Sequence, residues 1–210
     1  YRGETFTFAQ MATRIAKLHA TFKAIGLEPG DKVALAGKNC ARWAMGFMAT
    51  ATYRGVAVPI LPDFAPNTIA GLTDHSESAV LFTERRIWEQ MELKDMPNLK
   101  AAIDLDNYSI IYAKEEALVD TVAQIEQNMP SIIPAEKKIE ATDYTFSNIN
   151  DLAIINYTSG TTGNPKGVML TYGAISDTDA FSNSHFPNQP GETVVSMLPM
   201  AHMYGLAIEF

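Results

Sequence analysis

Short apolar runs alternate with helix-period segments along the first half of the chain, and few folds accept that order. Lys32 to Ala36 reads as a strand, and Ala41 to Arg54 as a helix closed by Gly55. Val56 to Leu61 is a second strand, and Pro66 to His75 a second helix with proline near its first turn. Ala79 to Thr83 is a third strand, Glu84 to Met91 a short helix, and Ala101 to Leu105 a fourth strand. A helix between successive strands implies right-handed crossovers. The expected fold class is therefore α/β: a mainly parallel, doubly wound sheet with flanking helices.

A longer helix precedes these units. Thr7 and Gln10 are spaced as in a capping box, and Phe8, Met11, Ile15, Leu18, Phe22 and Ile25 follow at helical spacing up to Gly26, a helix stop. Beyond residue 106 the pattern is less regular. Glu115 to Met129 fits an amphipathic helix, and Pro130 to Asn150 reads as a long polar connection. Leu152 to Tyr157 is then a strand, Gly167 to Leu170 another, a helix starts near Tyr172, and Thr193 to Met197 is a last strand. The expected organisation is a βα-repeat region over 1–106, a connection with a helix over 107–150, and a loop-bearing region over 151–210.

Composition removes several function classes. The chain has 210 residues, 47% hydrophobic and 19% charged, which excludes general disorder. Its formal net charge of -8 argues against a broad basic surface for nucleic acid. The one cysteine, Cys40, excludes an intramolecular disulfide. A membrane span needs about 20 largely apolar residues. The longest candidate, Ala44 to Tyr53, is too short and mixes alanine and threonine. The first residue is Tyr1 and the last residues are an apolar run, Leu206 to Phe210, so a piece of a longer protein is expected.

Chemistry concentrates between Ile155 and Gly167. Four hydroxyls and two glycines occupy the six residues Thr158, Ser159, Gly160, Thr161, Thr162 and Gly163. Glycine lets several backbone N–H groups face one concavity, and hydroxyls donate to phosphate oxygens. Lys166 adds a point charge. It stands alone: residues 139–210 hold this one cation against seven acids, so an anion here would meet Lys166 and neutral donors. The Walker loop differs, because there lysine is followed by Ser/Thr opening a helix. Here Lys166 is followed by Gly167 and the β-like Val168-Met169-Leu170. The alternative is a long hairpin loop of turn formers with no ligand.

The complete string from Ile155 to Lys166 resembles the adenylate-forming superfamily of acyl-CoA synthetases, luciferases and peptide-synthetase adenylation domains. The resemblance extends to Thr5-Phe6-Thr7-Phe8, to Gly26 through Ala34, and to Gly55-Val56-Ala57-Val58-Pro59. Leu198-Pro199-Met200-Ala201-His202-Met203-Tyr204-Gly205 is similar to a later family block, in a form nearest the long-chain fatty acid–CoA ligases. The implied fold is part of the large N-terminal domain of these enzymes, with the C-terminal domain absent.

The implied activity is two-step. A carboxylate is adenylated with ATP, and coenzyme A, the co-substrate, then takes the acyl group. Thr158, Ser159, Gly160, Thr161, Thr162 and Gly163 would hold the β- and γ-phosphates, with Thr161 also at Mg2+. Lys166 would stabilise departing pyrophosphate, and His202 would be the second catalytic candidate. His202, Met203, Tyr204 and Gly205 would border the acyl substrate. For His19, His75 and His185 the expected role is packing or surface. The implied partners are fatty acid, ATP and CoA, with no nucleic acid. The implied location is cytoplasmic, with peripheral contact at the inner face of a membrane as an option for the parent. The fragment alone is expected to be inactive. The alternatives left open are an aryl or amino-acid adenylating enzyme and a non-catalytic nucleotide-binding module.

Overall fold

In the computed structural model, which describes residues 4–133, 148–158, 165–185, 189 and 191–208, the first helix is α1, Phe8–Ile25. Its start follows from Thr7, which has extended backbone. The Thr7 hydroxyl oxygen accepts from Gln10 N–H at 3.2 Å, and the Gln10 side-chain oxygen accepts from Thr7 N–H at 2.7 Å. Two N–H groups that the helix cannot satisfy are thereby paired. The helix ends at Gly26 in the left-handed region, φ 71°. Replacing Thr7 with alanine is expected to destabilise the protein by about 1 kcal/mol, read as a lowered urea midpoint. No shift in that midpoint would deny the cap its role.

Alternation then builds the sheet. The strands are β1 Lys32–Ala36, β2 Val56–Ile60, β3 Val80–Thr83, β4 Ala101–Asp104, β5 Ile110–Ala113, β6 Leu152–Thr158 and β7 Lys166–Thr171. They lie in the order β5-β4-β3-β1-β2-β6-β7. Pairing is parallel from β4 through β6, and antiparallel at the two ends, β4 with β5 and β6 with β7. The helices after α1 are α2 Ala41–Thr52, α3 Pro66–His75, α4 Arg85–Trp88, α5 Ala117–Asn128, α6 Tyr172–His185 and α7 Met203–Ile208.

Both faces of the sheet are covered, which is why its central strands are apolar throughout. Val33, Leu35, Ala57 and Phe82 pack with Leu18 and Phe22 of α1 and Trp43 of α2. Their neighbours Ala34, Ala36, Val58 and Leu81 pack on the other face with Ile69 and Leu72 of α3. The sheet is thus doubly wound, as the alternation implies. At the outer layer, Lys17 Nζ of α1 donates to the Glu126 carboxylate and carbonyl of α5, each at 3.1 Å, and Arg14 pairs with the same carboxylate. At the other side, Tyr172 Oη donates to the Ala51 and Gly55 carbonyls, fixing the start of α6 to the α2–β2 turn. Burial pushes that phenol up to about 12, so it remains a donor.

Four expectations are corrected. The helix placed over Glu84 to Met91 is only Arg85–Trp88, because Gln90 and Met91 donate into tight turns, to Ile87 and Trp88 carbonyls. The span after residue 106 contains the unforeseen strand β5, folded back on β4 by a turn with Tyr108 at φ 63°. Thr193 to Met197 belongs to none of the seven strands. Val195 and Met197 are 68% and 80% exposed, so their apolar pattern is not matched by a sheet face among the described residues. Phe8, placed on the apolar stripe of α1, is 88% exposed because it sits in the first turn. Most of the Pro130 to Asn150 connection, residues 134–147, lies outside the described residues.

Candidate active site

In an open α/β sheet, ligands bind beyond the carboxyl ends of the strands. At β1 and β3 that end is filled by the chain itself. The Glu84 carboxylate accepts from Lys38 N–H at 3.1 Å and from Arg86 Nε at 2.7 Å. Burial opposes the charge on Glu84, but these donors outweigh it and hold the carboxyl below its ordinary value. Leu105 covers Gly37 so closely that a Cβ there would strike it. The corresponding end of β6 is where the loop of hydroxyls and glycines departs.

Thr158 is the last residue of β6 and Lys166 the first of β7, and the two are directly paired across the ladder. They close the mouth of the loop from either side. Ser159, Gly160, Thr161, Thr162 and Gly163 lie outside the described residues. Sheet parity fixes the faces. Residues alternate along a strand, and directly opposed residues share a face. Thr158, Lys166 and Asn156 therefore lie on one face, and Tyr157 and Gly167 on the other. Thr158 and Lys166 are both exposed, as ligand donors must be.

The far face of the mouth is braced. Tyr157 Oη and His75 Nδ1 are 2.7 Å apart, with their rings edge to face. A Cβ at Gly167 would come within 2.9 Å of Ile155 and 3.4 Å of the Tyr157 ring. Glycine here lets that ring lie against β7 beside the loop. Burial raises the Tyr157 phenol, with a Ser76 hydrogen bond working the other way.

The near face carries the second block. Asn156 is 4% exposed, and its Nδ2 donates to the Ala201 carbonyl at 3.0 Å. Asn39, in the turn between β1 and α2, donates through Nδ2 to the Leu198 carbonyl at 2.6 Å. Its Oδ1 accepts from Met200 N–H at 2.8 Å. His202 N–H donates to the Pro199 carbonyl at 2.9 Å, and His202 Nδ1 accepts from Tyr204 N–H at 3.2 Å. An accepting Nδ1 places the proton of neutral imidazole on Nε2. His202 itself is exposed. Gly205 is buried, and a Cβ there would run into the Pro199 carbonyl, so only glycine fits this approach.

Beside this block lies an apolar cavity of about 290 Å³. Phe47 of α2, Ile154 of β6, Leu170 of β7, Ile175 of α6, and Met203 and Leu206 of α7 line it, with Asp179 among its few polar groups. The volume is at the small end of the usual range for ligand pockets, about 300–1,000 Å³. Of the residues expected at the substrate, Met203 lines the cavity, Gly205 holds the turn, and Tyr204 is 59% exposed and outside the lining.

The remaining histidines behave as packing or surface groups. His19 Nε2 lies 3.1 Å from the Ala49 carbonyl and 2.9 Å from Thr52 Oγ1, and burial lowers its pKa. His185 stacks on Phe181 at the exposed end of α6. Cys40 caps α2, and burial pushes its thiol up, so it is not poised as a thiolate. Among the described residues no group of three His, Cys, Asp or Glu is placed to hold a metal ion. Among the described residues no helix is long and apolar enough to cross a membrane.

Asn39, Asn156 and the His75–Tyr157 contact were not legible as site features. For Asn156 a signal exists: it is a polar residue inside the apolar run Ile154 to Tyr157. Its partner could not be inferred, since Ala201 is 45 positions away.

The chain, with its β6–β7 pair, histidine block and apolar cavity, belongs to a known enzyme family. The AMP-binding enzyme family matches over residues 1–210. A probable acyl-activating enzyme 16, chloroplastic, of Arabidopsis thaliana is 29% identical over 98% of this chain and 30% of its own length. A long-chain-fatty-acid–CoA ligase of Mus musculus is 28% identical over 96% of this chain and 28% of its own length. The crystal structure of a long-chain-fatty-acid-CoA ligase from Archaeoglobus fulgidus superposes with a TM-score of 0.74 at 19% identity, over 97% of this chain and 37% of that one. At that identity the superposition speaks for the fold. The chain spans less than a third of the length of these curated relatives.

Proposed function

We propose that the chain is the N-terminal portion of the AMP-binding domain of a ligase that activates a fatty acid with ATP and passes it to coenzyme A. Within it, residues 1–106 would be the βα-repeat scaffold, 107–150 a connection, and 151–210 the phosphate-binding region. The observation that carries this reading is the placement of Thr158 and Lys166 on the sheet face that also holds Asn156 and, through it, the His202 block. The apolar cavity beside that block suits an alkyl chain, and Met203 links the two.

The chemistry follows from charge. A free carboxylate is a poor electrophile. Its oxygen attacks the α-phosphorus of ATP, the bond to the β-phosphate oxygen breaks, and pyrophosphate leaves. The CoA thiol then attacks the acyl carbon, loses its proton, and releases AMP. The first step is phosphoryl-type transfer, governed by positioning and electrostatic stabilisation. Thr158 and the loop residues Ser159, Gly160, Thr161, Thr162 and Gly163 would supply O–H and N–H donors to the β- and γ-phosphates. Lys166 would neutralise charge gathering on pyrophosphate. His202 would border the acyl group near the α-phosphate, with Nε2–H as its donor. Magnesium would accompany ATP, with the Thr161 hydroxyl beside it. The location proposed is cytoplasmic, with peripheral membrane contact as an option for the parent.

The test is pyrophosphate exchange into ATP by the full-length protein, offered laurate, palmitate, aromatic acids and amino acids in turn. Exchange with the fatty acids, followed by acyl-CoA formation, is expected. Exchange with only aromatic or amino acids would refute the substrate assignment. The 210-residue chain alone is expected to show no turnover with ATP, palmitate and CoA, and turnover comparable to the full-length protein would refute that. Its relatives use a chain about three times longer.

A further inference from the structure

Two asparagines lie behind the histidine block without reaching any group the reaction uses. Asn39 sits on the turn after β1, and Asn156 inside β6. Together they hold three backbone groups of one segment: the Leu198 carbonyl, the Met200 N–H and the Ala201 carbonyl. Asn39 acts as a two-pronged amide, donating to one peptide group and accepting from another, as a neighbouring strand would. Among the described residues this segment pairs with no strand, and the asparagine side chains take that place. The next residue is His202, whose N–H and Nδ1 are already engaged by the Pro199 carbonyl and Tyr204 N–H.

We infer that Asn39 and Asn156 are positioning residues, which fix the height and orientation of His202 over the sheet face that carries Thr158 and Lys166. The inference rests on the ligase reading, and deepens it by naming what sets its second catalytic group. Asn156 is central, because the strand that holds Ala201 also ends in Thr158, two residues on and on the same face. The phosphate-binding mouth and the histidine are thereby referred to a single rigid element. Asn39 adds a second anchor from the β1–α2 turn, so the segment cannot pivot about Asn156. Removing Asn156 takes the donor from the carbonyl of buried Ala201, removing Asn39 takes both of its contacts from the partly buried turn, and either change lets the histidine drift. A displacement of about 1 Å at a reacting group is worth up to roughly 100-fold in rate.

The experiment uses the full-length protein and measures adenylate formation in Asn39→Ala, Asn156→Leu and His202→Ala, and in each asparagine variant combined with His202→Ala. Asn156→Leu keeps the side-chain volume and drops the donor. Asn39→Asp keeps the acceptor for Met200 and gives a version of the measurement with little change in packing. The expected result is a fall in kcat of roughly 10- to 100-fold for the asparagine variants, with KM for ATP within about twofold. Adding His202→Ala to either variant should then cost no more than His202→Ala alone, because groups acting through one another are not additive. Multiplicative losses in the double variants would overturn the inference and assign the asparagines a merely structural role. So would undiminished kcat in the single variants, or an unaffected His202→Ala. Absence of exchange with every acid in the unsubstituted protein would refute the ligase reading and this inference with it. Exchange in the unsubstituted protein with unaltered variants refutes the inference alone.

Discussion

Replacing Lys166 with alanine in the full-length protein should slow pyrophosphate release by roughly 30- to 1,000-fold while leaving fatty acid affinity nearly unchanged. The range corresponds to about 2–4 kcal/mol of lost transition-state stabilisation, the usual worth of one well-placed group at developing charge. The reason for a large effect is scarcity. Lys166 is the one cation in residues 139–210, against seven acids. The loop it borders otherwise offers neutral donors. The reason for selectivity is geometry. Lys166 stands at the loop mouth, opposite Thr158, whereas the apolar cavity is lined from α2, β6, β7, α6 and α7 without it. Pyrophosphate release and fatty acid binding by calorimetry separate the two effects. Release at the unsubstituted rate would remove Lys166 from the phosphate site.

Replacing Trp43 with alanine is the change expected to harm the fold most. Trp43 is fully buried and stacks on Phe47 with ring centroids 5.7 Å apart and planes 9° apart. Emptying that volume should cost about 3–5 kcal/mol, because a close-packed core does not close over a gap this size. Trp43→Phe should be far milder. The indole Nε1 is buried with no hydrogen-bond partner among the described residues, so phenylalanine loses area but also removes an unmet donor. A thermal melt of both variants checks the pair. Equal losses would show that the indole N–H is not a burden on the native state. Phe47 is also a wall of the cavity, so Trp43→Ala should weaken fatty acid binding where the protein still folds.

The scaffold was legible where local chemistry and tertiary pairing agree. Lys32–Ala36 is a strand with the bounds its sequence implies, and Pro66–His75 a helix with the bounds implied by its proline and its apolar spacing. The Thr7–Gln10 cap is written in two residues three apart. Where structure depends on a distant partner, the sequence is silent or misleading. β5 exists because Tyr108 takes a left-handed turn that returns Ile110 to β4, and no glycine marks it. Thr193 to Met197 has the apolar content of a strand and yet is exposed. The site divides in the same way. Thr158 and Lys166 are conspicuous by type and spacing. Asn39 is not, since its partners Leu198 and Met200 are 159 and 161 positions away. His75 sits at the end of α3 like any surface histidine until Tyr157 is seen beside it.

The direct pairing of Thr158 with Lys166 limits how such a loop can diverge. A strand has a period of two, so slipping β7 by a single residue against β6 would send the lysine to the opposite side, beside Tyr157. Gly167 opposes that slip from within. It lies beside the Tyr157 ring, and any side chain brought into its place would come within 2.9 Å of the Ile155 side chain. The register of the ladder is therefore a constraint on any change in the length of the loop. An insertion is tolerable only if the loop absorbs it entirely, leaving the ladder below in register. The small backbone beside Ile155 and Tyr157 thus acts as a molecular key, and it keeps Lys166 on the same face as Thr158.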